Sequence, residues 1–388
     1  MAKRGKAVIR WTGLALVVVA GIAFTKREDI GRLGAVLSLF DADKITHNFS
    51  NMDQAFLSTP LSKGNGTVSP LPAHAMPVAL PAGFDDFITD RALTSIVVLK
   101  DGQITHEAYY QGTSEDDLRI SWSVAKSFLA TLMGVVVAEG HIDSLDDPVV
   151  KYVPLLRGSA YEPATIRNVL HMSSGVKFNE DYLDFWSDIN KMGRTIGLGG
   201  SLDEFAASIT DTIGAPGEAW QYVSIDTHVI GMVIRGATGR SIPDLMSEKI
   251  IQPLGLEAAP KYLTDGEGVA FVLGGLNLTT RDYARFGQMI LQGGSYNGTQ
   301  IVSQEWIEES TRPSSPKSDG LYKYGYQWWI PADATGHEFQ ARGVYGQHIF
   351  IDTQDNIVIA LTSSDKKFRE NGAYEQLLAM LRSIVAAH

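Results

Sequence analysis

Strand-like runs lie near both ends of this 388-residue chain and enclose a long stretch of helical character. The runs are rich in β-branched residues and are joined in pairs by short turns. They are Thr94 to Lys100, Gln103 to Tyr110, His348 to Asp352 and Asn356 to Thr362. The chain from about 146 to 268 is mostly helical and is broken by glycine and proline. We therefore predict an α+β fold: one antiparallel sheet built from distant segments, flanked by helices, with a mostly helical insertion.

The first 29 residues have the order of a signal peptide or a membrane anchor. Basic residues precede an apolar run from Trp11 to Phe24, and charged residues follow it. A cleavage site after Ala23 is poor because charges follow at once, so we predict an uncleaved apolar anchor helix within 1–29. By the positive-inside rule, the protein then sits in the inner membrane with its main domain on the extracytoplasmic side. A removed signal, giving a secreted or periplasmic protein, is the alternative.

Residues 30–83 form a second segment, with few periodic signals. Ser62 to Pro81 is rich in Pro, Gly, Ser and Asn, which indicates a tether or an irregular chain laid over the domain. The folded unit is predicted to span 84–388. Membrane contact is expected through the N-terminal segment only.

Composition excludes several classes of function. A net charge of −11 leaves no basic stripe to neutralise phosphates, so no nucleic-acid partner is expected. The absence of cysteine excludes disulfides, thiolate catalysis and cysteine metal sites. The histidines are scattered without ligand spacing, and the chain has neither a phosphate loop nor a Gly-x-Ser-x-Gly motif. We therefore expect neither a metal nor a cofactor.

A serine followed three residues later by a lysine places both side chains on one face of a helix. The amine can then take the serine proton, which turns a weak hydroxyl into a nucleophile. The spacing occurs at Ser123/Lys126, Ser174/Lys177, Ser314/Lys317, Ser363/Lys366 and Ser364/Lys367. Only Ser123 opens a long apolar helix, because prolines, a glycine or solvated turns surround the other serines. At a helix start, the backbone amides favour developing negative charge.

The spacing alone leaves a structural alternative, in which Ser123 is an N-cap and Lys126 is exposed in the first turn. A second motif, Tyr222-Val223-Ser224, follows a Pro-Gly turn and precedes a helix. A phenol beside a lysine ammonium loses its proton more easily, so Tyr222 is a second candidate base or proton shuttle. Ordinary packing of a loop tyrosine is the alternative for that residue.

Taken in order, the motifs resemble those of the serine β-lactamase and penicillin-recognising superfamily, on its class C and esterase side. They are Trp122-Ser123-Val124-Ala125-Lys126-Ser127-Phe128, Tyr222-Val223-Ser224, Gly274-Gly275-Leu276-Asn277 and Arg342-Gly343-Val344-Tyr345-Gly346-Gln347. Within the superfamily the chain looks most like serine hydrolases of the 6-aminohexanoate-dimer hydrolase type. The resemblance runs from about Phe84 to the C-terminus.

The resemblance implies a role for each matching residue. Ser123 would be the acylated nucleophile and Lys126 its proton acceptor, while Tyr222 would share the base role and protonate the leaving group. The amides of Ser123 and Val344 would form the oxyanion hole. The residues that would contact the substrate are Ser224, Asn277, Tyr182, Trp186 and Arg342.

Two departures from the family pattern bear on the substrate. Ser224 stands where β-lactamases have an asparagine that contacts the substrate amide. Ala341-Arg342-Gly343 replaces Lys-Thr-Gly, so Arg342 is either a carboxylate anchor or an outward-facing surface arginine. We predict a serine hydrolase that cleaves a small ester or amide through an acyl-enzyme. The alternatives are a β-lactamase or D-alanyl peptidase, and a non-catalytic envelope binding protein of the same fold.

Overall fold

The computed structural model of the protein describes residues 27–388 apart from positions 77, 317 and 319. Its helices are α1 Arg27–Leu37, α2 Ile45–Asn48, α3 Phe84–Asp90, α4 Ala125–Ala138, α5 Val149–Tyr152, α6 Ile166–Leu170, α7 Asp188–Gly197, α8 Leu202–Ala207, α9 Ser224–Thr238, α10 Ile242–Met246, α11 Gln252–Leu254, α12 Thr280–Leu291, α13 Gln304–Ser310 and α14 Ala373–Ala386. Its strands are β1 Ser58–Pro60, β2 Leu93–Lys100, β3 Gln103–Tyr109, β4 Arg119–Ile120, β5 Lys261–Leu263, β6 Leu276–Leu278, β7 Ser295–Tyr296, β8 Thr299–Gln300, β9 Tyr322–Tyr324, β10 Trp329–Pro331, β11 Glu338–Gly343, β12 Gln347–Asp352 and β13 Ile357–Ser363.

The main sheet joins both ends of the domain. Its seven strands are antiparallel, in the order β3-β2-β13-β12-β11-β10-β9. Val97 of β2 lies opposite Ala360 of β13, so the first hairpin of the domain pairs with its last strand. Alternate side chains pack on α3 and α14 on one face, and on α4 and α12 on the other. The predicted α+β fold with an antiparallel sheet from distant segments is confirmed.

Three strands of this sheet, β9 to β11, were not among the predicted runs. The first two have three residues each, which is too short for an alternating pattern to stand out. In β11, Glu338 to Arg342 are all buried, and β11 carries polar residues on the face that meets α14. The run from Glu338 to Arg342 contains no β-branched residue, and such residues marked the strands that were predicted, so β11 was missed in the sequence.

The lead-in segment before Phe84 packs against the domain. Phe49, Met52 and Leu61 are buried in the main core. Strand β1 pairs with β5, and this pair belongs to a second sheet of order β1-β5-β6-β4. The lead-in is therefore attached to the sheet that leads into the site described below.

The predicted N-terminal anchor, residues 1–29, falls almost wholly outside the described residues. Within the part of the chain that the structure describes, no helix combines the length and the apolar character needed to cross a membrane.

Helix α4 is buried on almost every side, which fits its run of small and apolar residues. Phe128 stacks on Phe286 of α12, with ring centroids 3.6 Å apart. On the opposite side, the Trp306 indole N–H donates a hydrogen bond of 3.0 Å to a carbonyl of the helix. The helix begins with Ala125 and Lys126, so its tight packing fixes the position of the lysine.

The close approach of α4 to Trp306 requires a glycine. A Cβ added at Gly134 would lie 2.4 Å from the indole ring. We expect Gly134→Ala to lower the free energy of unfolding by about 1–3 kcal/mol, as overpacking does. Gly193→Ala in α7 is the matched control, because a Cβ there meets nothing within 4 Å and alanine favours a helix. Chemical denaturation of both variants checks this, and equal stabilities would contradict it.

Candidate active site

Ser123 lies at a sharp junction between a strand and a helix. Strand β4 leads into a 3₁₀ turn from Trp122 to Val124, and α4 follows directly. Trp122 has φ of 41°, a left-handed conformation that a bulky residue rarely adopts. The Ser121 amide before it donates to the Leu276 carbonyl at 2.8 Å and so anchors the turn to the second sheet. The junction leaves Ser123 only 9% exposed.

Lys126 lies beneath Ser123 and is 1% exposed. Its Nζ donates to the Ser224 carbonyl at 3.4 Å and lies 5.5 Å from the centroid of the Tyr222 ring. Helix α4 has Val124 as its N-cap, and that cap has no side-chain hydrogen bond. The alternative in which Ser123 is an N-cap and Lys126 is exposed is therefore wrong.

Burial controls the charge of Lys126. Desolvation lowers the pKa of its amine to about 7, while the nearby carboxylates of Glu180 and Asp226 act in the opposite direction. Near neutral pH a large fraction of the amine is thus uncharged. An uncharged amine can accept a proton, which an ammonium cannot.

Asp226 is a buried acid that the sequence analysis missed. It accepts hydrogen bonds from the Tyr161 hydroxyl at 2.7 Å and the Ser174 hydroxyl at 2.9 Å. Burial raises the pKa of its carboxyl to about 7, although both hydrogen bonds and Lys126 favour the charged form. Ser174, from a competing serine–lysine pair, thus serves as a hydrogen-bond donor beneath the site.

Glu180 is the second acid that the sequence did not single out. Its carboxylate accepts the backbone N–H of Ser224 and the Tyr182 hydroxyl, the latter at 3.2 Å. Burial raises the pKa of this carboxyl, with Lys126 acting against the rise. Glu180 lies in a polar stretch of the sequence, and its main partner is a backbone amide. No spacing between side chains therefore indicated that it belongs to the site.

Tyr222 completes the group around the nucleophile. Its ring packs on Trp329 at 5.3 Å and on Tyr324 at 6.4 Å between centroids. Burial raises the pKa of the Tyr222 hydroxyl well above its usual range, and Glu180 adds to the rise, while a hydrogen-bonding contact with Ser123 acts against it. The phenol therefore keeps its proton at neutral pH.

The end of β11 packs against the other side of Ser123. A Cβ added at Gly343 would lie 2.6 Å from the Ser121 carbonyl oxygen and 3.1 Å from the Ser123 amide nitrogen. Glycine is required for this close approach. Val344 follows directly, so the two amides predicted for the oxyanion hole belong to segments that touch.

Arg342 lies in a cage of aromatic rings and is 8% exposed. Its guanidinium carbon lies 4.2 Å from the ring centroid of Tyr322, 4.6 Å from that of Trp329 and 4.1 Å from that of Tyr374. The guanidinium forms no ion pair or hydrogen bond with any residue that the structure describes. The alternative of an outward-facing surface arginine is wrong, because Arg342 points into the layer between β11 and α14.

The other predicted substrate residues lie in three places. Ser224 and Tyr182 belong to the cluster around Lys126, through their hydrogen bonds to Glu180. Asn277 lies in β6, where its amide donates to the Gly275 carbonyl at 2.9 Å within the second sheet. Trp186 does not join the cluster: it is 72% exposed and packs on Phe185.

The lead-in segment supplies an aromatic residue beside the nucleophile. Phe40 stacks on Tyr345 with centroids 5.1 Å apart and on Trp122 at 6.2 Å. Because Trp122 and Tyr345 flank Ser123 and Val344, Phe40 forms an apolar rim next to the site. A single phenylalanine in an irregular segment carries no signal of this role.

One group of possible metal ligands lies elsewhere, among the described residues. Atoms of His337, Glu338 and Asp352 lie within 4.8 Å of one another. Arg382 already binds Glu338 at 2.6 Å, so the group is partly neutralised by a guanidinium. It lies at the far end of β11 from Gly343 and is not part of the site.

The fold is that of serine β-lactamases and penicillin-binding proteins. The chain belongs to the Beta-lactamase family, whose model matches residues 84–381. It is 30% identical over 286 residues to 6-aminohexanoate-dimer hydrolase of Paenarthrobacter ureafaciens, covering 69% of this chain and 72% of the relative. It is also 29% identical over 216 residues to Esterase EstB of Burkholderia gladioli, covering 49% and 53%. The resemblance seen in the sequence is confirmed.

Solved structures show the same fold. A Bacillus anthracis protein assigned as a 6-aminohexanoate-dimer hydrolase superposes with a TM-score of 0.78 at 24% identity, covering 89% of this chain and 95% of that chain. A class C β-lactamase variant superposes with a TM-score of 0.59 at 17% identity, covering 79% and 95%. The protein is a β-lactamase-fold hydrolase related to 6-aminohexanoate-dimer hydrolase, esterases and class C β-lactamases.

The burial of Lys126 predicts an unusual titration. Because its pKa is lowered to about 7, we expect a lysine side-chain NMR signal to titrate near pH 7 in the wild type. The signal should vanish in Lys126→Met and persist in Lys177→Met, which removes an exposed lysine from a competing pair. A wild-type protein in which every lysine titrates above pH 9 would contradict the buried, uncharged amine.

Proposed function

We propose that the protein is a serine hydrolase that cleaves a small ester or amide through an acyl-enzyme. The observation that carries this proposal is the buried Lys126 amine, one helical turn from Ser123, whose pKa is lowered to about 7. The relatives support the reaction class, since one is named as a hydrolase of an aminohexanoate dimer and another as an esterase.

The first half of the proposed reaction acylates Ser123. Its Oγ attacks the substrate carbonyl carbon while the neutral Lys126 amine takes the hydroxyl proton. Negative charge develops on the carbonyl oxygen, where the amides of Ser123 and Val344 donate to it. Tyr222 gives its proton to the leaving group as the carbon–heteroatom bond breaks, and Lys126 returns a proton to the phenolate.

The second half releases the acid product. A water molecule attacks the acyl carbon and passes a proton to Lys126. The bond to Ser123 Oγ then breaks, and the serine regains its proton from the lysine. Each side chain that gives up a proton receives another, the net protons coming from water, so the enzyme is regenerated without a cofactor.

The surroundings of the nucleophile favour a substrate that carries a carboxylate. A buried cation without an anionic partner is costly, and Arg342 is such a cation. Trp329 contacts both Arg342 and Tyr222, which places the guanidinium one ring away from the reacting group. We assign Arg342 as the carboxylate anchor, with Ser224, Tyr182 and Asn277 as further substrate residues.

Placement outside the cytoplasm stays a prediction from the sequence. It depends on the basic residues and apolar run before Phe24. The catalytic proposal does not depend on it.

A fluorophosphonate probe tests the nucleophile. We expect the wild type to be labelled at Ser123, Ser123→Ala to lose all labelling, and Ser314→Ala to label like the wild type. Ser314 comes from a competing serine–lysine pair, and its hydroxyl bonds His171 at 2.8 Å. Gel fluorescence and peptide mass spectrometry report the labelled residue. Equal labelling of Ser123→Ala would overturn the assignment, and an unlabelled wild type would favour the non-catalytic alternative.

Paired p-nitrophenyl esters test Arg342. One ester has a neutral acyl chain, and the other has a chain of equal length ending in a carboxylate. We expect Arg342→Gln to lower the ratio of kcat/KM for the anionic ester to that for the neutral ester by roughly tenfold, the worth of one charge-assisted hydrogen bond.

Arg157→Gln removes an exposed guanidinium from the helical insertion and should leave that ratio as in the wild type. An unchanged ratio in Arg342→Gln would contradict the role of Arg342 as carboxylate anchor.

Nitrocefin provides the comparison with the β-lactamase alternative. Nitrocefin turnover as fast as that of the esters would favour a β-lactamase.

A further inference from the structure

Glu180 connects a loop to the helix that positions Lys126. Its carboxylate accepts the N–H of Ser224, the first residue of α9. Amides at a helix N-terminus lack partners within the helix and favour an anion. The Ser224 carbonyl, in turn, accepts the hydrogen bond from Lys126 Nζ at 3.4 Å. The backbone of Ser224 therefore contacts Glu180 through its N–H and Lys126 through its carbonyl.

The Tyr182 hydroxyl fixes the orientation of that carboxylate. It donates to the second oxygen of Glu180 at 3.2 Å, so both carboxylate oxygens are engaged. The loop around Glu180 is itself held in place, because the Asn179 backbone N–H donates to Asp188 at the start of α7 at 2.9 Å. A carboxylate with both oxygens bonded and a fixed backbone has little freedom to move.

We propose that Glu180 is a positioning residue for the Ser123/Lys126 pair, acting in two ways. Its hydrogen bond to Ser224 sets the place of the carbonyl that holds Lys126, and its carboxyl group is one of the two that face the lysine. The inference rests on the proposed function, because it concerns the base of that reaction.

The charges around the lysine determine the sign of the effect. The titratable and charged groups that face Lys126 or its direct neighbours are Glu180, Asp226, Tyr161, Tyr182, Tyr222, Tyr324, Tyr374, Arg342 and Arg369. Only Glu180 and Asp226 carry carboxyl groups. Each stabilises the ammonium form of Lys126, against the effect of burial. Removing the charge of Glu180 therefore lets the lysine lose its proton at lower pH. Glu180 also raises the pKa of Asp226, so its removal leaves Asp226 more ionised, which reduces the size of the shift without reversing its sign.

Two substitutions separate position from charge. Glu180→Gln keeps a side-chain oxygen that can accept the Ser224 N–H but removes the charge. The rate of fluorophosphonate labelling, plotted against pH, rises as Lys126 loses its proton. We expect this rise, the acid limb of the profile, to move down by about one pH unit. At pH 6 the rate, relative to its plateau, then rises about fivefold over the wild type. Glu180→Ala also removes the acceptor, and we expect its plateau rate to fall by roughly tenfold or more as Lys126 loses its alignment.

Glu218→Gln is the matched control. Glu218 also accepts a backbone N–H, from Ala215 at 3.0 Å, but it is exposed and does not face Lys126. Its acid limb should coincide with that of the wild type.

The outcomes distinguish the two levels of the proposal. An acid limb that stays in place or moves up in Glu180→Gln overturns the role of the charge. A Glu180→Ala plateau within about twofold of the wild type overturns the positioning role. If Glu180→Ala does not fold, the Glu180→Gln profile still decides, because a merely structural acid would not move the limb. A wild type that is not labelled at Ser123 overturns the proposed function and this inference with it.

Discussion

The pairing of β2 with β13 is the contact on which the site depends. It joins the first hairpin of the domain to the last strand and so closes the sheet across the whole sequence. Helix α4 packs under this sheet through Phe128 and α12, while β11 lies within it. Only in the closed sheet can the end of β11 approach the turn that carries Ser123. Ser123 and Val344, proposed as the nucleophile and the second oxyanion amide, therefore come from opposite ends of the domain.

The chemistry depends on how desolvation compares with nearby charge. Lowering the pKa of Lys126 from 10.5 to about 7 corresponds to roughly 5 kcal/mol in favour of the neutral amine. Glu180 and Asp226 oppose that change, so burial alone must exceed the net value. The same burial raises the pKa of Asp226 to about 7, which reduces its opposition near neutral pH. Burial thus lowers the pKa of the amine to about 7 although two acids lie beside it.

The sequence was informative where function requires fixed spacing within one element. Ser123 and Lys126 are one helical turn apart, and the apolar run after them selects that pair over four others. The strands of the first hairpin and of the C-terminal pair carried β-branched residues and turn signals, and they were predicted within one or two residues.

Contacts between distant segments were not legible. Glu180 meets Ser224 through a backbone amide, and such a bond leaves no mark on residue types. Phe40 reaches the site from a segment without periodicity, and β11 contains no β-branched residue that would mark it as a strand. For Arg342 the residue was identified but its environment was not. Whether an arginine faces solvent or a ring cage depends on which face of β11 is covered by α14. The register of β11 in the sheet sets that face, and the local sequence does not determine it.

The separation of the two basic side chains, Lys126 and Arg342, has a consequence for the proposed reaction. A substrate carboxylate held beside Lys126 would stabilise the ammonium and so suppress the base, as any nearby anion does. At Arg342 the same carboxylate would pair with a planar guanidinium, which matches a carboxylate with two parallel hydrogen bonds. The Trp329 ring stands between Arg342 and Tyr222 and keeps that ion pair away from the reacting hydroxyls. Anchoring an anionic substrate at Arg342 would therefore hold it in the site without favouring protonation of the amine that is proposed to activate Ser123.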